Sequence, residues 1–284
     1  MVPFAEEVAA ARAAQVAWSS DPVRDRLQPV RSLRNLIAQR ANEFCEAVSS
    51  DVGRSPSEVV ATELLPAAAA LKFLERRAKP VLAPRPIGWR LRPLWLMGCR
   101  DVIHRRPWGV VGVIGTWNYP IYLNVGPIAQ ALVAGNAVLW KPSENAPRTA
   151  DLLHSFFLEA GFLPALLQKV PATREAGPLM AEADVDRIVF TGSETVGRKL
   201  ATRLGERLIP STLELSGCDA MFVLADADIE LAVKAAWFGL TLNRGQTCIA
   251  VRRIFVHQSK YAAFEEALRK LRPDARPMQL VTRG

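Results

Sequence analysis

The chain is predicted to be an α/β protein, built on an open, mostly parallel sheet with helices on both faces. A helical N-terminal lead-in and a hairpin arm precede the sheet, and a partial second α/β domain follows it. Three observations predict the sheet and the helical lead-in. From Gly109 onward, short β-branched runs alternate with helix-length amphipathic stretches, and strands alternating with helices imply right-handed βαβ crossovers and a parallel sheet. Between Pro107 and Trp140 no charged residue occurs, as expected of strands covered on both faces. Before that, the chain carries apolar residues at the three- and four-residue spacing of helices. Together these describe a Rossmann-like sheet with additions at both ends.

Taken in order, Val8–Trp18 is alanine-rich and reads as a first helix. Val30–Val48 places Leu33, Leu36, Ile37, Phe44 and Val48 on one helical face. A turn at Asp51-Val52-Gly53 leads to a third helix over Ser57–Arg77, which Pro80, Pro84 and Pro86 are expected to end. From Arg90 to Arg106, short extended runs around Trp89, Leu91, Leu94, Leu96, Val102 and Ile103 are broken by Pro93 and Gly98, which predicts a hairpin excursion. Strands are then expected at Val110–Ile114, Ala137–Trp140, Leu167–Val170, Arg187–Thr191, Thr212–Leu215 and Met221–Leu224. Asp226 or Asp228 should cap a helix running through Phe238. Arg253–His257 is the last strand, and Ser259 is expected to cap a final helix holding Phe264, Leu268 and Leu271. Beyond Pro273 the chain is rich in Pro and Arg and is expected to fray.

At 284 residues the chain has room for one large core or two smaller ones. Its net charge of +8 raises the question of nucleic acid. However, the arginines are scattered, with Arg31, Arg34 and Arg40 alternating with apolar positions, and no basic block is interleaved with aromatics. Solvated faces plus attraction for a phosphate-bearing ligand account for the charge better, and no nucleic-acid partner is expected. The four cysteines, Cys45, Cys99, Cys218 and Cys248, show no C-x-x-C and no histidine at metal spacing. Neither a metal site nor a disulfide framework is expected, and a reduced, cytoplasmic setting fits better. Glu6 and Glu7 precede any apolar stretch, so the start does not read as a signal peptide. The charge-free segment is punctuated by Asn118, Pro120, Asn124, Pro127, Gln130 and Asn136, so it reads as strand, loop, helix and strand, not as a membrane span.

Several segments could carry chemistry. Gly109, Gly112 and Gly115 are spaced by three and do not match the G-x-G-x-x-G fingerprint. Phe190–Gly197 runs from a strand end into a helix start, with Ser193 placed to cap it. Unpaired N–H groups there suit a pyrophosphate, and suit an ordinary capped helix as well. Lys141-Pro142-Ser143-Glu144 ends a strand; such a Lys–Glu pair can hold ribose hydroxyls at the sheet's carboxyl edge, or form a solvated loop. The carboxylate would repel a 2′-phosphate and so favour NAD over NADP. Cys248, in Gly245-Gln246-Thr247-Cys248-Ile249-Ala250, sits on a loop before the last strand, where a thiol is either a nucleophile or a small buried hydrophobe. Glu214, at a strand end, could serve it as general base.

In this order and at this spacing, these segments resemble the aldehyde dehydrogenase superfamily. Thr116-Trp117-Asn118-Tyr119-Pro120 is similar to the family's tryptophan–asparagine turn, and Lys141–Glu144 to its ribose-contact segment. Phe190–Gly197 resembles the phosphate helix, Glu214-Leu215 the general-base segment and Gly245–Ala250 the nucleophile loop. Asp51-Val52-Gly53-Arg54 fits the helical lead-in. The resemblance spans about Val30 to Leu271 and divides the chain into a cofactor-binding domain over 1–213, with an oligomerisation arm about 88–106, and a truncated catalytic domain over 214–284. It implies that Cys248 attacks an aldehyde, that the Asn118 amide and the Cys248 N–H hold the oxyanion, and that Glu214 activates water against a thioester. The cofactor contacts it implies are Trp117, Lys141, Ser143, Glu144, Gly192, Ser193, Val196 and Leu215. The cofactor would be NAD, with NADP possible, and the partner a small-molecule aldehyde. These roles require folding to gather residues 248, 118 and 214 around a common pocket.

The pattern departs from the family in two places. After the base glutamate the family continues Leu-Gly-Gly-Lys, whereas this chain has Leu215-Ser216-Gly217-Cys218; a serine at 216 would be strained if the backbone there tolerates only glycine. The family also continues well past the nucleophile, and the usual homo-oligomer uses a later strand to pair with the arm. An unpaired arm would present an exposed edge. Two alternatives therefore stand beside the hydrolytic enzyme: an NAD-binding remnant that is inactive or depends on a partner, and a coenzyme A-dependent acylating enzyme. Retention of Glu214 favours hydrolysis.

Overall fold

A computed structural model describes residues 2–88, 93–271 and 281. The chain is a mixed α/β protein with a parallel central sheet. Its helical lead-in comprises α1 (Ala5–Ser20), α2 (Val23–Gln39), α3 (Ala41–Val52), the single turn α4 (Pro56–Val59) and α5 (Leu65–Leu82), with a π-helical segment at Val60–Leu64 joining the last two. The short strands β1 (Arg85–Pro86) and β2 (Val102–Ile103) pair antiparallel. From there β3 (Val110–Ile114), α6 (Tyr122–Val133), β4 (Ala137–Lys141), α7 (Pro147–Glu159), β5 (Leu167–Lys169), α8 (Ala176–Glu182), β6 (Arg187–Gly192), α9 (Glu194–Glu206) and β7 (Ser211–Leu215) alternate without interruption. The strand order is β5-β4-β3-β6-β7.

Strands β3 and β4 are buried along their whole length, which explains the charge-free run between Pro107 and Trp140. Their register pairs Val110 with Ala137 and Ile114 with Lys141. The Trp140 side chain is fully buried and donates its Nε1–H to Asn124 Oδ1 at 3.3 Å. Helix α1 is fastened by long-range side-chain bonds: Arg12 to the Asp186 carboxylate (2.9 Å) and the Asp184 carbonyl (2.9 Å), Gln15 to the Gly135 carbonyl (2.8 Å) and the Trp18 indole to the Leu132 carbonyl (2.7 Å).

The remainder comprises β8 (Asp219–Val223), α10 (Ile229–Thr241), a 3₁₀ turn at Leu242–Gly245, β9 (Val251–Val256) and α11 (Tyr261–Leu271). β8 and β9 pair in parallel. Val223, Ala232, Val233, Ala236 and Phe264 form a small core, with Met221, Ile254, Val256 and Leu268 packed against it. The chain separates into two compact units, one of Met1–Thr191 with Arg198–Leu213, the other of Gly192–Gly197 with Glu214–Gly284. No helix among the described residues is long and apolar enough to cross a membrane.

Several element bounds differ from the sequence reading. The helix expected over Val30–Val48 is two helices that meet at Arg40, whose φ of −116° and ψ of 35° break the ladder. Arg40 there bonds Glu43 and Glu159 and lies over the Phe156 ring, a set of contacts that apolar periodicity does not reveal. The helix expected over Ser57–Arg77 begins at Pro56 and runs to Leu82. Pro80 lies in its last turn, and only two residues of the helix follow it. Asp228, not Asp226, caps α10, accepting from the Leu231 N–H at 3.0 Å. His257, not Ser259, caps the 3₁₀ turn that opens into α11. Leu94–Leu96 form a 3₁₀ turn instead of an extended run. Residues 89–92 of the expected hairpin, and the segment past Pro273 except Val281, lie outside the described residues.

Candidate active site

The predicted site residues fall into two groups, one in each compact unit. Trp117, Asn118, Lys141, Ser143 and Glu144 belong to the first, and Gly192, Ser193, Val196, Glu214, Leu215 and Cys248 to the second.

In the first unit, β3 ends in a turn held from below by buried polar groups. Asn118 Oδ1 accepts from Thr116 Oγ1 at 2.8 Å and from the Tyr119 N–H at 3.1 Å. Two donors on the oxygen fix which way the amide faces, so its Nδ2 is the end presented away from them. The Asn118 carbonyl accepts from Arg54 Nη2 at 2.9 Å. Arg54 is 2% exposed and pairs with Glu63, which is wholly buried. Glu63 Oε2 in turn accepts from the N–H groups of Ile121 (3.0 Å) and Tyr122 (2.8 Å). A helix leaves its first N–H groups unpaired, and Glu63, from a remote helix, supplies the missing acceptor at the start of α6. Trp117 beside Asn118 is partly exposed.

Sequence reasoning treated Arg54 only as part of the lead-in and did not single out Glu63. The signal was a glutamate among Val59, Val60, Leu64 and Leu65, because a charge in an apolar helical run is rarely buried without a partner. Arg174 was also missed, since nothing local distinguishes it.

Lys141 closes β4 with a buried side chain, and its Nζ donates to Glu144 Oε2 at 3.0 Å. On the other side of this carboxylate, Arg174 Nε stands 3.8 Å from Oε1. Burial pushes the Glu144 carboxyl up. The Glu144 backbone N–H, the Lys141 ammonium and the charge of Arg174 outweigh that and hold it below the usual carboxylate value. Ser143 is buried, and its Oγ accepts from the Asn145 N–H at 3.3 Å.

In the second unit, Ser193 Oγ accepts from the Val196 N–H at 3.4 Å at the start of α9, and Val196 itself is exposed. The Ser216 N–H donates to the Gly192 carbonyl at 3.2 Å. A Cβ on Gly197 would lie 2.4 Å from Leu215 Cδ2, so the helix start rests directly on Leu215. Ser216 is absent from the positive-φ residues, so a serine there carries no glycine-only strain. Glu214 and Cys248 are both exposed. Gly217 fits against the loop that carries Cys248, where a Cβ would stand 3.3 Å from the Cys248 carbonyl oxygen. Arg253 secures the neighbouring Cys218 carbonyl with Nε at 3.1 Å and Nη2 at 2.7 Å. Ahead of Cys248 the chain turns through Asn243 (φ 51°), Arg244 (φ 56°) and Gly245 (φ 72°). Two consecutive left-handed non-glycine residues are costly, and such strain gathers where a side chain has to be held in a set direction.

A family model described as "Aldehyde dehydrogenase family" matches residues 4–276. Among curated proteins, the chain is 34% identical over 265 residues to a 4,4'-diapolycopene aldehyde oxidase of Methylomonas sp, covering 93% of this chain and 50% of that one. Among solved structures, an aldehyde dehydrogenase of Mycobacterium tuberculosis complexed with NAD+ matches at 31% identity and TM-score 0.86, over 94% of this chain and 55% of that one. An NADP dependent enzyme of E. coli matches at 25% identity and TM-score 0.86, over 94% and 55%. The chain spans about half the length of the curated relatives it matches.

Proposed function

Because the chain belongs to the aldehyde dehydrogenase family, we propose that it takes part in the NAD(P)-dependent oxidation of an aldehyde to a carboxylic acid. The observation that carries this reading is the contact at Gly217: the segment that begins with Glu214 lies against the backbone of the Cys248 loop. A candidate base and a candidate nucleophile thus belong to one local structure, and both side chains are exposed.

Cys248 Sγ, as a thiolate, forms a bond to the aldehyde carbon. The Cys248 N–H, with the Asn118 amide that the family resemblance assigns to the same role, would donate to the developing oxyanion. A nicotinamide cofactor, when bound, would supply the hydride acceptor by which the carbon held on Cys248 reaches the thioester oxidation level. Glu214 then takes a proton from water, the water oxygen bonds to the thioester carbon, the C–S bond breaks, and the acid leaves with Cys248 restored as thiolate. The residues present fit a dinucleotide. A capped helix start at Ser193 suits its phosphates, and the Lys141–Glu144 pair at the carboxyl end of β4 suits a ribose. Relatives of both kinds occur, one solved with NAD+ and one NADP dependent, and either cofactor fits. In the same reading residues 1–213 are the cofactor-binding part and 214–284 carry the nucleophile, in a cytoplasmic enzyme of a family that usually forms homo-oligomers.

The test follows reduced nicotinamide with a panel of aldehydes. Cys248→Ala should abolish reduction. Glu214→Gln should lower turnover by about 10²–10⁴-fold, as expected for loss of a general base, while acylated Cys248 accumulates and is detectable by mass. Turnover that survives Cys248→Ala refutes the mechanism. Cofactor binding with no aldehyde oxidised would favour a binding module, and dependence on coenzyme A would favour acyl transfer.

A further inference from the structure

Glu144 lies between two cations of different character. Lys141 is buried at the end of β4 and holds Oε2 at 3.0 Å. Its ammonium is fixed, because leaving the carboxylate would strand a buried charge. Arg174 reaches the same group from the segment after β5, the strand beside β4, and its side chain is 89% exposed with Nε 3.8 Å from Oε1. A contact that long, on a solvated side chain, contributes little and is easily exchanged.

This arrangement bears on cofactor choice. A carboxylate alone at a ribose accepts the 2′-hydroxyl and repels a 2′-phosphate. Here the cluster of Lys141, Glu144 and Arg174 carries one more positive than negative charge. Its exposed member is a guanidinium, whose planar fork matches phosphate oxygens bidentately. Resting on the reading that Lys141 and Glu144 face the adenosine ribose, we infer that Arg174 is the residue that sets NADP against NAD. With NAD it stays on Glu144. With NADP it turns to the 2′-phosphate and offsets the repulsion from Glu144, so the chain takes both.

The experiment measures binding of adenosine 5′-monophosphate and adenosine 2′,5′-bisphosphate to the purified chain by calorimetry, which needs neither aldehyde nor turnover. The wild type should bind the two probes within about tenfold of each other. Arg174→Ala should weaken the bisphosphate by about tenfold or more, the loss expected for one charge-assisted phosphate contact, and shift the monophosphate by about twofold at most. Arg174→Lys should fall between, because it keeps the charge and loses the fork. Raising salt should weaken bisphosphate binding more steeply in the wild type than in Arg174→Ala. The inference is overturned if Arg174→Ala leaves the ratio of the two affinities unchanged, or if the wild type rejects the bisphosphate while binding the monophosphate. If the wild type binds neither probe, the ribose-site reading itself fails.

Discussion

Removing the cation from the buried Arg54–Glu63 pair gives the sharpest test of how the Asn118 turn is held. In Arg54→Met the Glu63 carboxylate, with no exposed surface, keeps only the N–H groups of Ile121 and Tyr122. Breaking a buried pair from one side costs about 3–5 kcal/mol, because a charge is left uncompensated. At about 2–4 °C per kcal/mol for a unit of this size, the melting temperature should fall by on the order of 6–20 °C. Burial already pushes the Glu63 carboxyl up, with Arg54 opposing it, so the variant's carboxyl should rise further. A raised folded value means the folded state binds more protons than the unfolded one, so stability falls as pH rises through that window. The deficit should therefore be smallest near the ordinary glutamate value of about 4.3 and grow above it. Arg54→Met/Glu63→Leu should not recover fully, since it leaves two helix N–H donors without their acceptor, at about 1–3 kcal/mol each. Calorimetric melts across pH, with hydrogen exchange read at Ile121 and Tyr122, report both effects. A loss under about 1 kcal/mol in the single variant, or full recovery in the double, would refute the reasoning.

Two further outcomes follow from the packing. Gly115→Ala would put a Cβ 1.9 Å from Asn124 Oδ1. Asn124 cannot yield cheaply because its Nδ2 donates to the Thr116 and Pro120 carbonyls, so a loss of about 1–3 kcal/mol is expected in urea unfolding; an unchanged midpoint would mean the loop shifts freely. Burial lowers the His154 pKa, with its Nε2 3.0 Å from the Leu167 carbonyl. A depressed folded value makes the stability contribution complete above the unfolded value of about 6.5 and lost as the pH falls through the lower folded one. The fall in melting temperature below about pH 6.5 should be shallower in His154→Gln, and parallel curves would exclude His154 as its source.

The strand–helix alternation from Val110 to Leu215 was legible because its signals are local. β-branched runs, glycine breaks and the charge-free stretch each follow from how a buried parallel strand treats its own residues. Candidate chemistry was legible on the same basis, in short segments such as Lys141–Glu144 and Gly245–Ala250, whose residue types and order can be read along the chain. The break at Arg40 was not, because Leu33, Ile37, Phe44 and Val48 keep helical spacing through it, while the group that helps hold the break, Glu159, is remote in sequence.

The sequence by itself determined the alternation of strands with helices from Val110 onward and which short segments were candidates for chemistry. Only the tertiary structure decided their company: that Glu63 caps a helix far along the chain, that Arg174 shares a carboxylate with Lys141, and that Gly217 rests on the Cys248 loop. The physical reason is the range of the forces involved. Backbone preference and apolar periodicity act over a few neighbouring residues, whereas ion pairing and close packing depend on distance in space, which exists only once the chain has folded.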